Sequence, residues 1–300
     1  MGHGDLKVHT TGVPPLPRRI VGLALGLALW ALFVQAFPRA ARASGPPDIQ
    51  AGDPLPRILE KAQIYCRKLG ASSLHFTCRE KIDERQYSPP QRIFSNLRTP
   101  DQAKLIRVTL EYDYQLVRKG ESIEEKRVLL KENNEPRNEP GAVLKTKLYK
   151  HKNLVFGPGA LLSEYWQARH AYTYLGEEKV DGEKTFVIEA SPAGEPDRDL
   201  VYGKAWIRQK DFAIVKIEWD QRCLGNYSMI LGTAKALGHE AEPRISIVGT
   251  YGLEKNGIRF PDRLTIREEY TSTRGIFRVS ETKVLYTDYK FFIVETEVTY

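Results

Sequence analysis

The sequence predicts a mainly β chain of the α+β type: one large antiparallel sheet that meanders from hairpin to hairpin, with two or three helices over its concave face. Three observations predict it. From Lys104 onward, stretches that alternate apolar and polar residues recur between turn residues. Two of those turns, Asp181-Gly182 and Asn256-Gly257, are strong two-residue hairpin signals. Helical three-and-four spacing is confined to residues 54–70, 157–170 and a patch within 229–243.

Taken in order, residues 1–43 read as an export signal. Arg18-Arg19 precedes the uncharged apolar run IVGLALGLALWALFVQAF (20–37), and Ala41-Arg42-Ala43 supplies a small-x-small cleavage pattern. Cleavage is expected after Ala43, giving an exported, periplasmic chain. The competing reading is an uncleaved anchor, since the run just reaches the length of a membrane span. No Cys directly follows the run, so a lipid-attachment pattern is missing. Residues 44–53 (SGPPDIQAGD) read as a linker, and 54–300 as a single domain with an N-terminal extension, 54–100.

That extension opens with PLPRILEKAQIYCRKLG (54–70), an amphipathic helix with Gly70 as its stop. SLHFTCREKIDERQ then alternates as a strand, and SPPQRIFSNLRTPDQ is rich in turn residues. LIRVTLEYDYQLVRKG and SIEEKRVLLKEN are strands about Gly120, NNEPRNEPG is a polar loop, and KTKLYKHKNLVF is a weaker strand. GPGALLSEYWQARH (157–170) is a short helix with Pro158 near its first position. AYTYLGEEKV and KTFVIEASP flank Asp181-Gly182, and RISIVGTYGLEK and IRFPDRLTIREEY flank Asn256-Gly257. Pro261 marks an edge, bulge or break. FRVSETKVLYTDYK and FFIVETEVTY form a last hairpin.

Between these lies VYGKAWIRQKDFAIVKIEWDQ (201–221), an aromatic hairpin. A two-residue turn at Lys210-Asp211 would set Trp206 opposite Val215, Lys204 opposite Ile217 and Tyr202 opposite Trp219. One face would then carry Tyr202, Trp206, Val215, Ile217 and Trp219, with Lys204 awkwardly among them. That face either fills a dry core or lines a pocket for an apolar ligand.

The chain carries a net charge of +7, and residues 1–43 account for +4 of it (Lys7, Arg18, Arg19, Arg39 and Arg42 against Asp5), leaving about +3. Lys and Arg alternate with Glu along the strands. A nucleic-acid or anionic-membrane surface needs a clustered basic face, and this pattern offers none. Of three cysteines, Cys66 lies late in the first helix and Cys78 in the next strand. In an oxidising compartment a Cys66–Cys78 disulfide is expected, with Cys223 left over; three thiols are the alternative.

A search for catalytic residues is mostly negative. Beyond residue 43 the histidines are His75, His151, His170 and His239, none spaced with another as metal ligands, and Cys-x-x-Cys is absent. No nucleophile elbow, phosphate loop or dinucleotide fingerprint occurs. Gly157-Pro158-Gly159 reads as a turn feeding a helix. Glu124-Glu125 and Glu268-Glu269 point to opposite faces of their strands and do not make a two-carboxylate site unaided. Aromatic residues are the positive signal: fifteen Tyr, with Tyr112 and Tyr114 in alternating positions, and Trp166, Trp206 and Trp219. Such rings build cavity walls, and equally ordinary strand cores.

The order of these motifs resembles that of the outer-membrane lipoprotein-sorting proteins, the LolA-like superfamily. The resemblance rests on Gly203-Lys204-Ala205-Trp206-Ile207, the charged turn Gln209-Lys210-Asp211, and the return strand Ile214-Val215-Lys216-Ile217. The Asp181-Gly182 hairpin precedes them and Lys255-Asn256-Gly257 follows, so the likeness covers roughly 104–300. It implies a strongly curved sheet, an incomplete barrel, with helices against its inner face and a hydrophobic cavity between. It further implies a non-enzymatic protein, without cofactor, that holds an acyl lipid or lipoprotein and exchanges it with membrane-bound donor and acceptor proteins. The cavity candidates are Tyr202, Trp206, Val215, Ile217 and Trp219, with Trp166 on a covering helix, and Tyr112 and Tyr114. The alternatives are an envelope regulator or scaffold whose cavity is collapsed, and an unrecognised enzyme. Residues 54–100 have no counterpart in the family pattern.

Overall fold

A computed structural model describes residues 53–71, 75–87, 105–119, 122–195, 200–224, 227–236, 243–272 and 275–292. The expected export signal, nearly all of the linker, most of the turn-rich stretch after residue 87 and His239 lie outside the described residues. Those from Pro54 onward belong to one compact unit.

Helix α1 (Leu55–Ala71) leads into strands β1 (His75–Tyr87), β2 (Leu105–Lys119), β3 (Ser122–Glu132) and β4 (Glu135–Pro140). Two short helices, α2 (Gly157–Leu162) and α3 (Glu164–Gln167), precede β5 (His170–Val180), β6 (Glu183–Pro192), β7 (Gly203–Arg208) and β8 (Ile214–Trp219). After α4 (Tyr227–Ala236) come β9 (Arg244–Thr250), the small hairpin β10 (Leu253–Lys255) and β11 (Ile258–Phe260), then β12 (Arg263–Ser272) and β13 (Gly275–Phe291). Eleven strands form one sheet in the order β4-β3-β2-β1-β13-β12-β9-β8-β7-β6-β5, and β10 and β11 pair apart. Every pairing is antiparallel, and β4 and β5 are its edges, so the sheet is open.

One core serves this whole sheet. Ile58, Ala62 and Leu69 of α1 share it with Leu116 of β2, Ile188 of β6 and Val284 of β13. Laid flat, eleven strands would span about 50 Å, since neighbours lie about 4.8 Å apart. A helix of 17 residues covers about half that at 1.5 Å per residue. A single core therefore requires the sheet to curl around its helices.

The hairpin signals act as read. Asp181 and Gly182 both adopt positive φ, as do Asn256 and Gly257, the geometry of turns that match strand twist. Three expectations change. The helix over 157–170 breaks at Ser163, whose extended ψ of 159° separates α2 from α3. Part of the polar loop NNEPRNEPG pairs as β4, whose two prolines suit an edge strand. The first strand of the expected last hairpin is β13, which continues past Asp288, at φ of 56°, to Phe291, and nearly all of its return strand, FFIVETEVTY, lies outside the described residues. The weak strand KTKLYKHKNLVF makes no ladder; residues 141–153 cross the sheet as an irregular strap that ends in a 3-10 turn at Leu154–Phe156.

The aromatic hairpin carries the most consequential change. Its loop is Gln209–Phe212, with Phe212 at φ of 60°, and Ile207 pairs with Ile214 as the sequence register requires. A bulge then inserts one extra residue on β8, so Trp206 pairs with Lys216, Ala205 with Ile217 and Gly203 with Trp219. One inserted residue turns everything beyond it to the other face. Lys204 lands between Glu218 of β8 and Glu189 of β6 instead of opposite Ile217, which places its charge beside two carboxylates.

The Cys66–Cys78 disulfide is also corrected: both are free, buried thiols. Cys66 turns toward α2, where its Sγ donates to the Pro158 carbonyl at 3.4 Å. Cys78 faces Tyr289 of β13, and burial pushes both thiols up from their ordinary range. Cys223, pushed up to about 12 by burial, lies against the Tyr202 backbone, accepting from its N–H at 3.2 Å. Alkylation of the denatured protein without reductant is expected to label all three cysteines. Two labels that appear only after reduction would restore the bridge.

Candidate functional site

Along β1 the inward positions are Phe76, Cys78, Glu80, Ile82 and Glu84, so two carboxylates face the core among apolar residues. They are there to hold the strap. Glu84 accepts hydrogen bonds from the backbone N–H groups of Lys147 and Leu148 at 2.9 and 3.0 Å. Glu125 of β3 accepts from Asn153 N–H at 2.6 Å, and Glu268 of β12 accepts from the Tyr149 hydroxyl at 3.0 Å. Tyr112 of β2 accepts from Lys145 N–H at 3.0 Å. A strap without a ladder must place its backbone donors elsewhere, and these side chains receive them.

Glu80 is the centre of this region and is fully buried. It accepts from Arg127 Nε at 2.7 Å, from the Tyr286 hydroxyl at 3.0 Å, and lies 2.8 Å from His151 Nε2 of the strap. Burial would raise its carboxyl, but the Arg127 guanidinium and the His151 bond outweigh burial and hold it far below the usual carboxylate range. Tyr114 donates to Glu125 at 2.7 Å, and the Arg127 guanidinium lies 4.9 Å from the Tyr114 ring. Burial keeps the Tyr114 and Tyr286 hydroxyls protonated well above their ordinary range. His151 Nδ1 is buried without a hydrogen-bond partner.

The other half of the inner face is apolar, and α1 covers it. Its Ile58, Ala62, Tyr65, Cys66 and Leu69 are buried in the core. Tyr65 Oη accepts from Arg259 N–H at 3.0 Å, and Gln167 Nε2 of α3 donates to the Leu59 carbonyl at 2.9 Å. The β10–β11 hairpin that presents Arg259 is clamped from outside. Glu183 binds Arg208 at 2.7 Å and Arg259 at 2.9 Å, and Glu254 binds Arg208 at 2.7 Å. An aromatic cluster of Phe76, Phe260, Tyr289 and Phe291 packs close by, with Phe260 and Phe291 centroids 4.8 Å apart.

The eight aromatic and aliphatic candidates do not share one surface. Tyr112, Tyr114, Ile217 and Trp219 lie in the core. Trp206 and Val215 form a separate outer cluster with Val187, on the face from which the bulge removes Ile217 and Trp219. There Trp206 Nε1 donates to Glu178 at 2.7 Å and the Lys216 ammonium sits 3.7 Å above its ring, so both polar handles are used. Tyr202 packs against Cys223 and lies under Arg222, 5.5 Å from its ring centroid. Trp166 is half-exposed and meets Tyr165 edge-on at 5.0 Å. Trp219 is buried, and its Nε1–H has no hydrogen-bond partner. Its ring presses on α2 where Gly157 leaves no room for a Cβ: one built there would lie 3.0 Å from the ring.

Sequence reasoning missed Glu80, Glu84, Arg127 and His151. Glu80 and Glu84 stand at the inward parity of Phe76 and Ile82, a signal that alternation offers but polarity masks. Of the acidic pairs, Glu125 and Glu268 turn inward, while Glu124 pairs with Lys126 and Glu269 with Arg278 on the other face. Two surface hollows of about 270 and 280 Å³ are lined in part by Lys81, Asp83 and Glu111, and by Glu183 and Arg259, respectively. Among the described residues no group of three His, Cys, Asp or Glu is placed to hold a metal ion, and no helix is long and apolar enough to cross a membrane.

No protein-family profile matches the chain, and no curated protein matches it in sequence. Solved structures do match it. One described as an outer membrane lipoprotein-sorting protein domain from Vibrio parahaemolyticus is 11% identical, covers 80% of this chain and 94% of its own, and has a TM-score of 0.35. A LolA superfamily protein from Nitrosomonas europaea is 15% identical over 80% of this chain and 94% of its own, with a TM-score of 0.30. A DUF1329 family protein from Desulfovibrio piger is 10% identical over 82% and 96%, with a TM-score of 0.36. Two of these three carry the description of the family that the motif order resembles.

Removing Arg127 alone would strand a buried carboxylate. Arg127→Met is expected to cost about 3–5 kcal/mol in urea unfolding at pH 7, and the Glu80→Gln/Arg127→Met double variant to recover much of it. A depressed native pKa stabilises the fold above the unfolded value and is lost as pH falls below it. Wild-type stability should therefore drop below about pH 4.5, the ordinary value for this carboxyl, with a shallower slope in Glu80→Gln. Equal slopes would show that Glu80 is not the group responsible.

Proposed function

We propose that the chain is an exported, non-enzymatic protein that holds acyl chains of a lipid or lipoprotein between α1 and the apolar half of the sheet. In this reading residues 1–43 are removed after Ala43, the mature protein works in the periplasm, and membrane-bound proteins deliver and receive the ligand. The observation that carries it is the contrast between the two coverings of the inner face. The strap is fixed by buried carboxylates that accept backbone hydrogen bonds, whereas α1 shares the apolar core with the sheet through Ile58, Ala62 and Leu69. Apolar contact is non-directional, so an acyl chain can replace those side chains at about 0.8 kcal/mol per methylene removed from water. A strap bond, by contrast, has no substitute in a hydrocarbon.

The ligand-facing residues of this proposal are Ile217 and Trp219, with Tyr112 and Tyr114 beneath the strap as its closed end. Trp206 and Val215 drop out, because they lie in the outer cluster, on the face opposite Ile217 and Trp219. Trp219 supplies the polar contact: its unpartnered Nε1–H suits the carboxyl or ester oxygen of an acyl ligand.

The test combines native mass spectrometry of protein purified after export from its own host with titration of a fluorescent fatty acid. Co-purifying acyl lipid is expected. Ile58→Ala, which loosens α1, should tighten probe binding severalfold, and Trp219→Phe, which keeps the ring and removes the donor, should weaken it by about three- to tenfold. Absence of both lipid and probe binding, in the wild type and in Ile58→Ala alike, would replace this reading with a scaffold whose inner face is permanently filled.

A further inference from the structure

We infer that the outer face of α1, with the adjoining α3, is a docking surface for anionic phospholipid. Interspersion of Lys and Arg with Glu along the chain argues against any clustered basic face, but a helix regroups residues that a strand would separate. Over α1, Arg57, Lys61, Ile64 and Lys68 fall four, three and four residues apart, and so form one ridge. Arg67 lies about a quarter of a turn from that ridge, with Glu60, the single acid of the helix, between them. The buried stripe of Ile58, Ala62, Tyr65, Cys66 and Leu69 lies about a third of a turn from the ridge. The ridge therefore runs along a flank of α1, with Arg57 and Lys68 exposed while Arg57 also reaches the Phe212 ring at 6.0 Å and Lys68 lies by the Gly257 turn. Within it, Ile64 is 43% exposed, an apolar side chain among cations.

On the other flank of α1, α3 is tied to the helix by the Gln167 bond to the Leu59 carbonyl. It presents Tyr165, 49% exposed, and the half-exposed Trp166, with the Arg169 guanidinium 4.8 and 5.5 Å from their ring centroids. Basic residues, a central aliphatic side chain and a Tyr–Trp pair with an arginine are the chemistry that settles at a headgroup layer. The cations meet phosphates, and the rings sit at the interface with their polar edges in water. The charge excludes a neutral bilayer as the preferred surface.

This inference concerns the outer face and does not depend on acyl-chain binding within. The experiment is vesicle co-sedimentation of the exported protein, purified without detergent, on phosphatidylcholine vesicles with and without a quarter phosphatidylglycerol. Binding only to the anionic vesicles is expected, falling as salt rises from 50 to 500 mM. Each cation near the surface is worth roughly fivefold, so Arg57→Glu/Lys61→Glu/Arg67→Glu should reduce binding more than a hundredfold. Tyr165→Ser/Trp166→Ser should weaken it severalfold. Lys126→Glu/Lys131→Glu/Arg137→Glu, on β3 and β4, makes the same change in net charge and should lose far less. Circular dichroism and thermal midpoints confirm that each variant is folded. Equal binding to neutral vesicles, no binding at 50 mM salt, or equal losses in the two triple variants would overturn the inference. Vesicle binding without acyl-probe binding would sink the proposed function and leave this surface standing.

Discussion

The Glu80–Arg127 ion pair is the constraint on which the rest depends. A buried carboxylate is costly in a dry core, and here two strands and the strap share that cost. Arg127 comes from β3, Tyr286 from β13 and His151 from the strap, and all three converge on one side chain of β1. Such a pair is weak evidence of net stability, because apolar residues of similar volume often serve as well. What it supplies is position. Residues 141–153 make no ladder, and without directional partners their path over the sheet would be unspecified. Glu80, Glu84, Glu125 and Glu268 give that path four fixed points.

Fixing the strap decides what the other half of the sheet can do. Where β1, β2, β3 and β12 meet the strap, the contacts are bonds with defined geometry, whereas α1 meets the core largely through apolar side chains. The β10–β11 hairpin extends the same division. Its arginine is locked by Glu183, yet it offers α1 a backbone N–H for Tyr65. Rigid polar parts thus frame a contact that is itself non-directional, and a ligand site needs that combination of a set boundary and an exchangeable interior.

Much of this was legible in the sequence, and the failures have physical causes. Alternation and the Asp-Gly and Asn-Gly turns located nearly every strand from β5 onward, because local backbone chemistry decides them. The β8 bulge was invisible: Val215 is as good a strand residue as any, and only the pairing shows it to be the extra one. Its consequence was large, since it put Ile217 and Trp219 on the face opposite Trp206 and set Lys204 beside Glu218 in place of Ile217. The polar hub was hidden for the opposite reason. Binary pattern assigns Glu to solvent, and the partners that make Glu80 tolerable lie 47, 71 and 206 residues away in the chain. The basic ridge of α1 escaped because charge was read along strands, where neighbours point apart, and not around a helix.

Helix α1 has a buried apolar stripe and an exposed basic flank, and if both proposed ligands bind, linkage would set how they are coupled. A lipid surface that bound the basic ridge equally well whether α1 was seated or lifted would not expose the sheet, however tightly it bound. Only interactions that form when the helix lifts shift the balance, and α1 holds such interactions in reserve. Ile58, Ala62 and Leu69 are buried against the sheet, and in a lifted helix they would meet the acyl boundary just below the headgroups. The membrane and an incoming acyl chain would then act in concert. One takes up the apolar stripe of α1, the other takes its place on the sheet, and each lowers the cost of the other's binding by the same factor.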